Sequence, residues 1–232
     1  MTVVLGALDG EVASITASMD RESRDDWNGY PIARGSISGS PAVVSRTGVG
    51  KTLSAMLCQH LIDRYAPRRI ILTGIAGALR DDLAIGDIVV ARDTVQHDVD
   101  LTAMGFERGT FPGSRCRAIC CDPDLVARAS GVRPVHGRMR IGRILTGDQF
   151  IADAARRAQL ADAFDGDAVD MEGASVGLVA AVNRVPFLLI RTISDRCDGS
   201  AIDFRAVLER AADNSWHYVT NILGGIDDHT RV

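Results

Sequence analysis

A continuous apolar run, Phe187-Leu188-Leu189-Ile190, constrains the fold more than any other segment of this sequence. A run of this length predicts a parallel strand that is covered on both faces. A segment rich in small and apolar residues precedes it, and this segment predicts a helix that begins at Glu172 and is packed on both sides. Together the two segments predict an α/β protein.

Polar residues collect around the end of this predicted strand. Arg191, Ser194 and Asp195 follow the apolar run, and Glu172 stands at the start of the preceding helix. Ligands of α/β proteins bind outside the carboxyl ends of the strands, so Glu172 and Asp195 are expected beside one crevice. A structural alternative stays open for each acid. Glu172 would complement a helix dipole, and Asp195 would cap the next helix.

Composition limits the class of protein. The chain has 232 residues, 46% of them hydrophobic and 24% charged, with a net charge of −4. These values predict one globular domain over residues 1–232 and give no sign of a surface for nucleic acid or anionic membranes. No apolar run reaches the ~18 residues that would span a bilayer. The N-terminal segment reads as a strand rather than a signal peptide.

The cysteines point to a reducing compartment, and we expect a cytoplasmic protein. They are odd in number and contain no CxxC pair. No histidine stands at ligand spacing beside the cluster of Cys116, Cys120 and Cys121, so no metal site is expected. The five cysteines are Cys58, Cys116, Cys120, Cys121 and Cys197.

Hydrophobic patterning predicts further elements along the chain. Glu11 stands where a first strand gives way to a first helix. The predicted strands are Val3–Ala7, a hairpin of Ile32–Ile37 and Ala42–Ser45, Arg69–Thr73, Gly86–Ala91 running on towards His97, and Arg138–Leu145. One predicted helix begins at a glycine loop and ends at about Tyr65. Two more are predicted over Asp122–Ala129 and Asp203–Leu223.

The glycine loop Gly48-Val49-Gly50-Lys51-Thr52 imitates a nucleotide-triphosphate loop. The full pattern requires a glycine at position 45, where this chain has Ser45. The preceding strand is also a hairpin partner rather than the first strand of a βαβ unit. Hydrolysis of a nucleoside triphosphate is therefore not expected.

Four motifs occur in an order that resembles the purine nucleoside phosphorylase/nucleosidase superfamily. They are Val169-Asp-Met-Glu-Gly-Ala, Arg191-Thr-Ile-Ser-Asp195, the segment from His97 to Phe106, and Thr146-Gly-Asp-Gln-Phe-Ile151. Within that superfamily the chain is most similar to the 5′-methylthioadenosine/S-adenosylhomocysteine nucleosidases. The resemblance implies a three-layer α/β/α fold around a central mixed, twisted sheet. It also implies hydrolysis of the N-glycosidic bond of an adenine nucleoside without a cofactor.

The resemblance also implies roles for individual residues. Asp195, kept protonated by burial and oriented by Ser194, would protonate the leaving base. Glu11 would activate water, helped by Arg191. Glu172 would accept hydrogen bonds from the ribose, with Met171 packed against the sugar. The remaining substrate-binding residues implied are Phe150 (stacked on adenine), Ile151 (bonded to its edge through the backbone), Leu8, Val49, Ile75, Ala76, Gly77 and Phe204.

One segment is expected to serve a partner subunit. Leu101, Met104 and Phe106 are apolar residues close together in a polar stretch, which favours an interface. In the family this stretch lines the active site of the neighbouring subunit. We therefore expect a homodimer whose sites are completed across the interface.

Alternatives to this function stay open. A phosphorylase needs cationic side chains to hold phosphate, whereas Asp9 and Glu11 are acidic; Arg46 and Arg80 remain candidates for reaching the pocket. Ile75 stands where these nucleosidases usually have serine, so a nucleosidase for another purine nucleoside, such as futalosine or aminodeoxyfutalosine, is the second hypothesis. A non-catalytic nucleoside-binding protein is the third.

Overall fold

The structure is a computed structural model, and it describes residues 1–112, 117–200 and 203–225, except the side chain of Phe204. Cys116 therefore lies outside the described residues. The strands are β1 Thr2–Gly6, β2 Asp20–Trp27, β3 Tyr30–Ile37, β4 Ser40–Arg46, β5 Arg69–Leu72, β6 Ile75–Ala78, β7 Ile88–Gln96, β8 Ile119–Cys120, β9 Met139–Thr146, β10 Ala168–Asp170 and β11 Phe187–Asp195. The α-helices are α1 Asp9–Ser18, α2 Lys51–Tyr65, α3 Pro123–Ser130, α4 Ala154–Phe164, α5 Gly173–Val182 and α6 Phe204–Gly224.

The strands form one mixed sheet between two layers of helices. Its order is β2-β3-β4-β1-β5-β11-β6-β10-β9-β7-β8. One core cluster packs apolar residues of α2 and α5 against the sheet, and a second packs those of α1 and α6 against the other face. The predicted mixed α/β architecture is confirmed.

Strand β11 joins the two halves of the sheet. Phe187–Leu189 pair in parallel with β5, whereas Thr192 and Ile193 pair in parallel with β6. Between them, β11 also pairs antiparallel with β7. Because β6–β10, β10–β9 and β9–β7 are paired as well, β6, β7, β9, β10 and β11 close into a ring. The polar residues at the end of β11 are buried, like the rest of the strand.

Most predicted elements occur within a few residues of their expected bounds, but four were missed: β2, β6, β8 and α4. β2 is exposed almost throughout and carries no apolar alternation, and it pairs antiparallel with β3. α4 buries only Leu160, Ala161 and Phe164. β6 has only four residues and β8 only two, so neither carries a recognisable strand pattern. The strand predicted at Phe187–Ile190 extends to Asp195, so Arg191 and Ser194 lie within it.

Two further observations concern the described residues. None of their helices is long and apolar enough to cross a membrane. They contain no group of three or more His, Cys, Asp or Glu side chains arranged to hold a metal ion.

Candidate active site

A cavity of about 170 Å³ opens at the ends of β1, β10 and β11 and beside the first residues of β6. This is far more space than one water molecule needs. Its walls combine apolar side chains with carboxylates from three parts of the chain. The lining residues are Ala7, Leu8, Glu11, Val49, Ile75, Ala76, Gly77, Gln149, Phe150, Ile151, Val169, Asp170, Met171, Glu172, Ser194, Asp195 and Cys197.

Arg191 lies behind the wall of the cavity and is fully buried. Its Nε donates to Asp170 Oδ2 at 2.8 Å and its Nη2 donates to Glu172 Oε2 at 3.1 Å. Its Nη1 donates to the carbonyl oxygen of Thr73 at 3.0 Å. A buried cation is tolerated only when paired and hydrogen-bonded in this way. Arg191 thus neutralises the carboxylates around it and holds Glu172 in place.

Glu11 is buried in the first turn of α1. Its carboxylate accepts hydrogen bonds from three backbone N–H groups, those of Ala7 at 2.5 Å, Leu8 at 2.9 Å and Ile75 at 2.9 Å. Burial raises the pKa of Glu11, although Arg191 and the three N–H groups act in the opposite direction. A Cβ at Gly74 would overlap both Glu11 and Arg191, so glycine lets these groups approach.

Glu172 occupies the N-cap position of α5, but its side chain does not cap that helix. Its Oε1 accepts from the N–H of Gly50 at 2.9 Å, and its Oε2 accepts from Arg191. Burial raises the pKa of Glu172 to about 7. The positive charge of Arg191 lowers this pKa, and the negative charge of Asp170 raises it further. The geometry therefore differs from simple complementation of a helix dipole, the structural alternative for this residue.

Asp195 ends β11 and caps no helix. Its Oδ2 accepts from the hydroxyl of Ser194 at 2.6 Å, and its Oδ1 accepts from the N–H of Cys197 at 2.9 Å. The Ser194 hydroxyl also lies 3.1 Å from the carbonyl oxygen of Ala76. Cys197 has a positive φ of 55°, a conformation that costs energy in a residue other than glycine and that turns its N–H onto the carboxylate.

The apolar part of the cavity brings together residues from three loops. Phe150 is 69% exposed, so much of its ring is accessible, whereas Ile151 is buried. Val49 comes from the glycine loop, and Met171 precedes Glu172. Ile75 is half-buried and contributes to the wall where a hydroxyl was expected in the family.

Arg46 and Arg80, which were candidates for reaching the pocket, do not line it. Arg46 forms an ion pair with Asp9 at 2.9 Å. Arg80 forms an ion pair with Asp165. Both arginines are therefore engaged elsewhere on the protein.

The segment expected to reach a partner lies away from this protomer's own cavity. Met104 is 68% exposed, and Leu101 and Phe106 are half-buried. None of the three lines the cavity. The expectation for the side chain of Phe204 falls outside the described residues.

No catalytic or binding role was predicted for five of the lining residues: Ala7, Gln149, Val169, Asp170 and Cys197. Asp170 is buried and accepts from the Thr146 hydroxyl at 2.6 Å as well as from Arg191. Its position between Val169 and Met171, inside a motif that resembles the family's, was a sequence signal that could have placed it at the site. Nothing in the sequence indicates that Cys197 turns back onto Asp195, because this depends on the backbone after β11.

Residues 2–224 match the sequence profile of the Phosphorylase superfamily, and the chain belongs to this family. A 5′-methylthioadenosine/S-adenosylhomocysteine nucleosidase of Shewanella pealeana is 37% identical over 224 residues, which cover 95% of this chain and 97% of that protein.

Solved structures agree with this relationship. The adenine complex of such a nucleosidase from Colwellia psychrerythraea has a TM-score of 0.91 and 34% identity, with 96% of this chain and 94% of that chain covered. A futalosine hydrolase of Helicobacter pylori has a TM-score of 0.89 and 30% identity, with 97% of each chain covered. The fold is thus shared by nucleosidases with different substrates.

The raised pKa of Glu172 predicts a specific dependence of stability on pH. The folded protein binds this proton more tightly than the unfolded chain, so Glu172 lowers the free energy of unfolding as pH rises from 5 to about 7. In Glu172→Gln this contribution is absent. The free energy of unfolding of the variant, relative to wild type, should therefore increase by about 1–2 kcal/mol between pH 5 and pH 7.

Urea unfolding of both proteins at the two pH values measures this difference. His97, whose pKa burial lowers to about 4, acts in the opposite direction but is present in both proteins. Glu22→Gln, at an exposed position of β2, should leave the pH dependence unchanged. A Glu172→Gln variant that parallels wild type at both pH values would contradict the assignment.

Proposed function

We propose that this protein hydrolyses the N-glycosidic bond of adenine nucleosides, namely 5′-methylthioadenosine and S-adenosylhomocysteine, and releases adenine and a 5-thio-substituted ribose. The observation that carries this proposal is that Glu11, Glu172 and Asp195 line one cavity while the adjacent cation, Arg191, is already bonded to two carboxylates. Such a site suits proton transfer and water activation. The similarity to named nucleosidases supports the same function.

Asp195 acts as the general acid in this proposal. Departure of adenine places negative charge on the purine, and protonation of its imidazole-side nitrogen lowers the barrier. The hydroxyl of Ser194 and the N–H of Cys197 fix the two carboxyl oxygens, which leaves the orientation of Asp195 defined before substrate binds. Phe150 offers an accessible ring for stacking, and the backbone of Ile151 bonds the edge of the base.

Glu11 is the base that activates water, and Glu172 is the acceptor for the ribose hydroxyls. The raised pKa of Glu11 suits a base that must take a proton at near-neutral pH. Arg191 stabilises the negative charge of Glu172 and lies close to Glu11. Met171 packs against the sugar, and Leu8, Val49, Ile75, Ala76 and Gly77 complete the pocket.

The proposed reaction is hydrolysis rather than phosphorolysis. A phosphate dianion needs cationic donors, and among the described residues that line the cavity there is no lysine or arginine. Glu11 would repel phosphate. Arg46 and Arg80 are held by other acids.

A second candidate substrate is futalosine or aminodeoxyfutalosine. Ile75 replaces a hydroxyl with a branched apolar side chain in the cavity wall, and a futalosine hydrolase shares the fold at 30% identity. The acid and the ribose acceptor would serve this reaction equally. Release of the base from a panel of nucleosides that differ at the 5′ position and at purine C6 decides between the two substrates.

The proposed active form is a cytoplasmic homodimer, each chain a single domain, that acts in methionine salvage. Exposed apolar side chains support an interface: Met104 is 68% exposed, and Leu53 and Met56 on α2 are 39% and 40% exposed. Leu101, Met104 and Phe106 would cover the 5′ group in the partner's cavity. The cysteines, without a CxxC pair, support a reducing compartment.

Asp195→Asn should abolish turnover while nucleoside binding survives. Asparagine keeps the shape of the side chain but cannot deliver a proton, so turnover should fall by roughly 10²-fold or more. Initial rates and calorimetric binding of methylthioadenosine measure the two effects. Asp198→Asn, an exposed neighbour outside the cavity, is the matched control. More than about a tenth of wild-type turnover in Asp195→Asn would exclude Asp195 as the acid.

Product formation should be independent of phosphate. Because Arg191, the cation close to Glu11, is already bonded to two carboxylates, the free thio-substituted ribose should accumulate at the same rate with and without added phosphate. Chromatography of the products distinguishes the free sugar from its 1-phosphate. Sugar 1-phosphate as the main product would overturn the hydrolase proposal.

Phe106→Ala should raise the Michaelis constant for methylthioadenosine more than that for adenosine, which lacks the alkylthio group. Burial of one large apolar side chain contributes about 1.5–3 kcal/mol. Val135→Ala, which truncates another exposed apolar side chain, should change neither constant. Equal losses on both substrates, or full activity of a monomer in sedimentation, would show that this segment does not line a neighbour's pocket.

A further inference from the structure

Three charged residues from separate segments form a closed set of hydrogen bonds beside the cavity. Lys51 begins α2, Asp98 follows β7, and Asp148 follows β9. Lys51 Nζ donates to Asp98 Oδ1 at 2.7 Å, and the N–H of Asp148 donates to Asp98 Oδ2 at 3.0 Å. The N–H of Lys51 donates to Asp148 Oδ1 at 2.8 Å. We refer to Lys51, Asp98 and Asp148 as the latch.

Two of the three latch residues are largely shielded from solvent, whereas Asp148 is exposed. The side chains of Lys51 and Asp98 are 19% and 17% exposed. Burial alone would raise the pKa of Asp98, but the hydrogen bonds from Lys51 and from the N–H of Asp148 lower it. Asp98 is therefore held as a carboxylate, and its ion pair with Lys51 is less screened than a pair on the open surface.

Asp148 also completes the start of α2. The N-cap residue Gly50 offers no side-chain hydrogen bond, and Asp148 accepts from the first helical N–H in its place. A carboxylate here complements the dipole of the helix. Gly50 has a φ of 97°, and a Cβ on it would lie 3.1 Å from Asp148 Oδ1. The loop around Gly50 thus fits closely against the loop that contains Asp148.

These two loops form different parts of the cavity. Gly50, directly before Lys51, donates its N–H to Glu172, which we propose as the ribose acceptor. Phe150 and Ile151, shortly after Asp148, form the proposed adenine site. A nucleoside spans both parts, so its affinity depends on the distance between them.

We infer that Lys51 is a positioning residue: through Asp98 and Asp148 it holds the ribose and adenine parts of the cavity at the spacing that one nucleoside requires. This inference rests on the proposed function for the assignment of the two parts. It gives the lysine of the Gly-Val-Gly-Lys loop a role other than phosphate binding. Preorganisation of this kind improves binding of a ligand that bridges both loops.

Lys51→Met tests the inference because methionine keeps much of the aliphatic stem and removes the ammonium group. The two probes are adenine, which occupies one part, and the 7-deaza analogue of methylthioadenosine, which spans both and lacks the nitrogen to be protonated. Calorimetry should show that Lys51→Met binds the analogue at least about tenfold more weakly than wild type does. Its affinity for adenine should change by less than about twofold. The Michaelis constant for methylthioadenosine should rise in parallel.

Three further variants make the result specific. Lys51→Arg keeps the charge and should retain most of the affinity for the analogue. Asp98→Asn should weaken binding of the analogue to a similar extent. The double variant Lys51→Met/Asp98→Asn should lose less binding free energy for the analogue than the two single variants lose in sum. Arg64→Met removes an ion pair with Asp25 at the other end of α2 and should alter neither affinity.

The outcomes separate this inference from the proposed function. If wild type binds both probes, and Lys51→Met lowers the affinity for both by the same factor or for neither, the latch has no positioning role. If wild type binds neither probe, the assignment of the two parts fails, and the proposed function and the inference fall together. Retained adenine binding also shows that the variant is folded.

Discussion

The buried guanidinium of Arg191 is the interaction on which the rest of the site depends. It lies within β11 and bonds Asp170 at the end of β10, Glu172 at the start of α5, and the carbonyl oxygen of Thr73 after β5. A lone buried cation would be strongly unfavourable, and loss of either acid would remove one of the two carboxylates that compensate its charge. The same contacts that make burial of Arg191 possible hold Asp170 and Glu172 together at the wall of the cavity.

Burial and hydrogen bonding oppose each other at these carboxylates. Burial raises the pKa of both Glu11 and Glu172, while Arg191 and backbone N–H groups act against it. The result is a pair of acids whose protonation changes nearer to neutral pH than that of an exposed carboxylate. This arrangement lowers stability at neutral pH, a cost that is common at functional sites.

The long β11 explains how the sheet delivers residues from several segments to one point. Its first half pairs with β5 in the open part of the sheet, and its second half pairs with β6 in the ring. The ends of β1, β10 and β11 and the start of β6 therefore converge on the cavity. The latch then links the two loops that line the cavity. The positions of the cavity residues therefore depend both on the paired strands and on the ion pair of Lys51 with Asp98.

Strong local patterns made much of the fold predictable. The strands β1, β5 and β11 were predicted because each is a short, continuous apolar run, and the hairpin of β3 and β4 because two such runs lie close together in the chain. β2 was missed because its charged residues carry no apolar alternation, and only its pairing with β3 makes it a strand. α4 was missed because few of its residues face the core.

By itself the sequence determined the chemical types at the site: the acids Glu11, Glu172 and Asp195 and the aromatic Phe150, each next to a strand end. It also determined that Lys51 does not belong to a triphosphate loop. Only the tertiary structure decided that Arg191 turns inward to bond Asp170 and Glu172, that Cys197 turns back onto Asp195, and that Lys51 reaches Asp98. These contacts join residues from separate segments or follow from a local backbone turn, so their geometry is set by how the strands pair and how the loops pack.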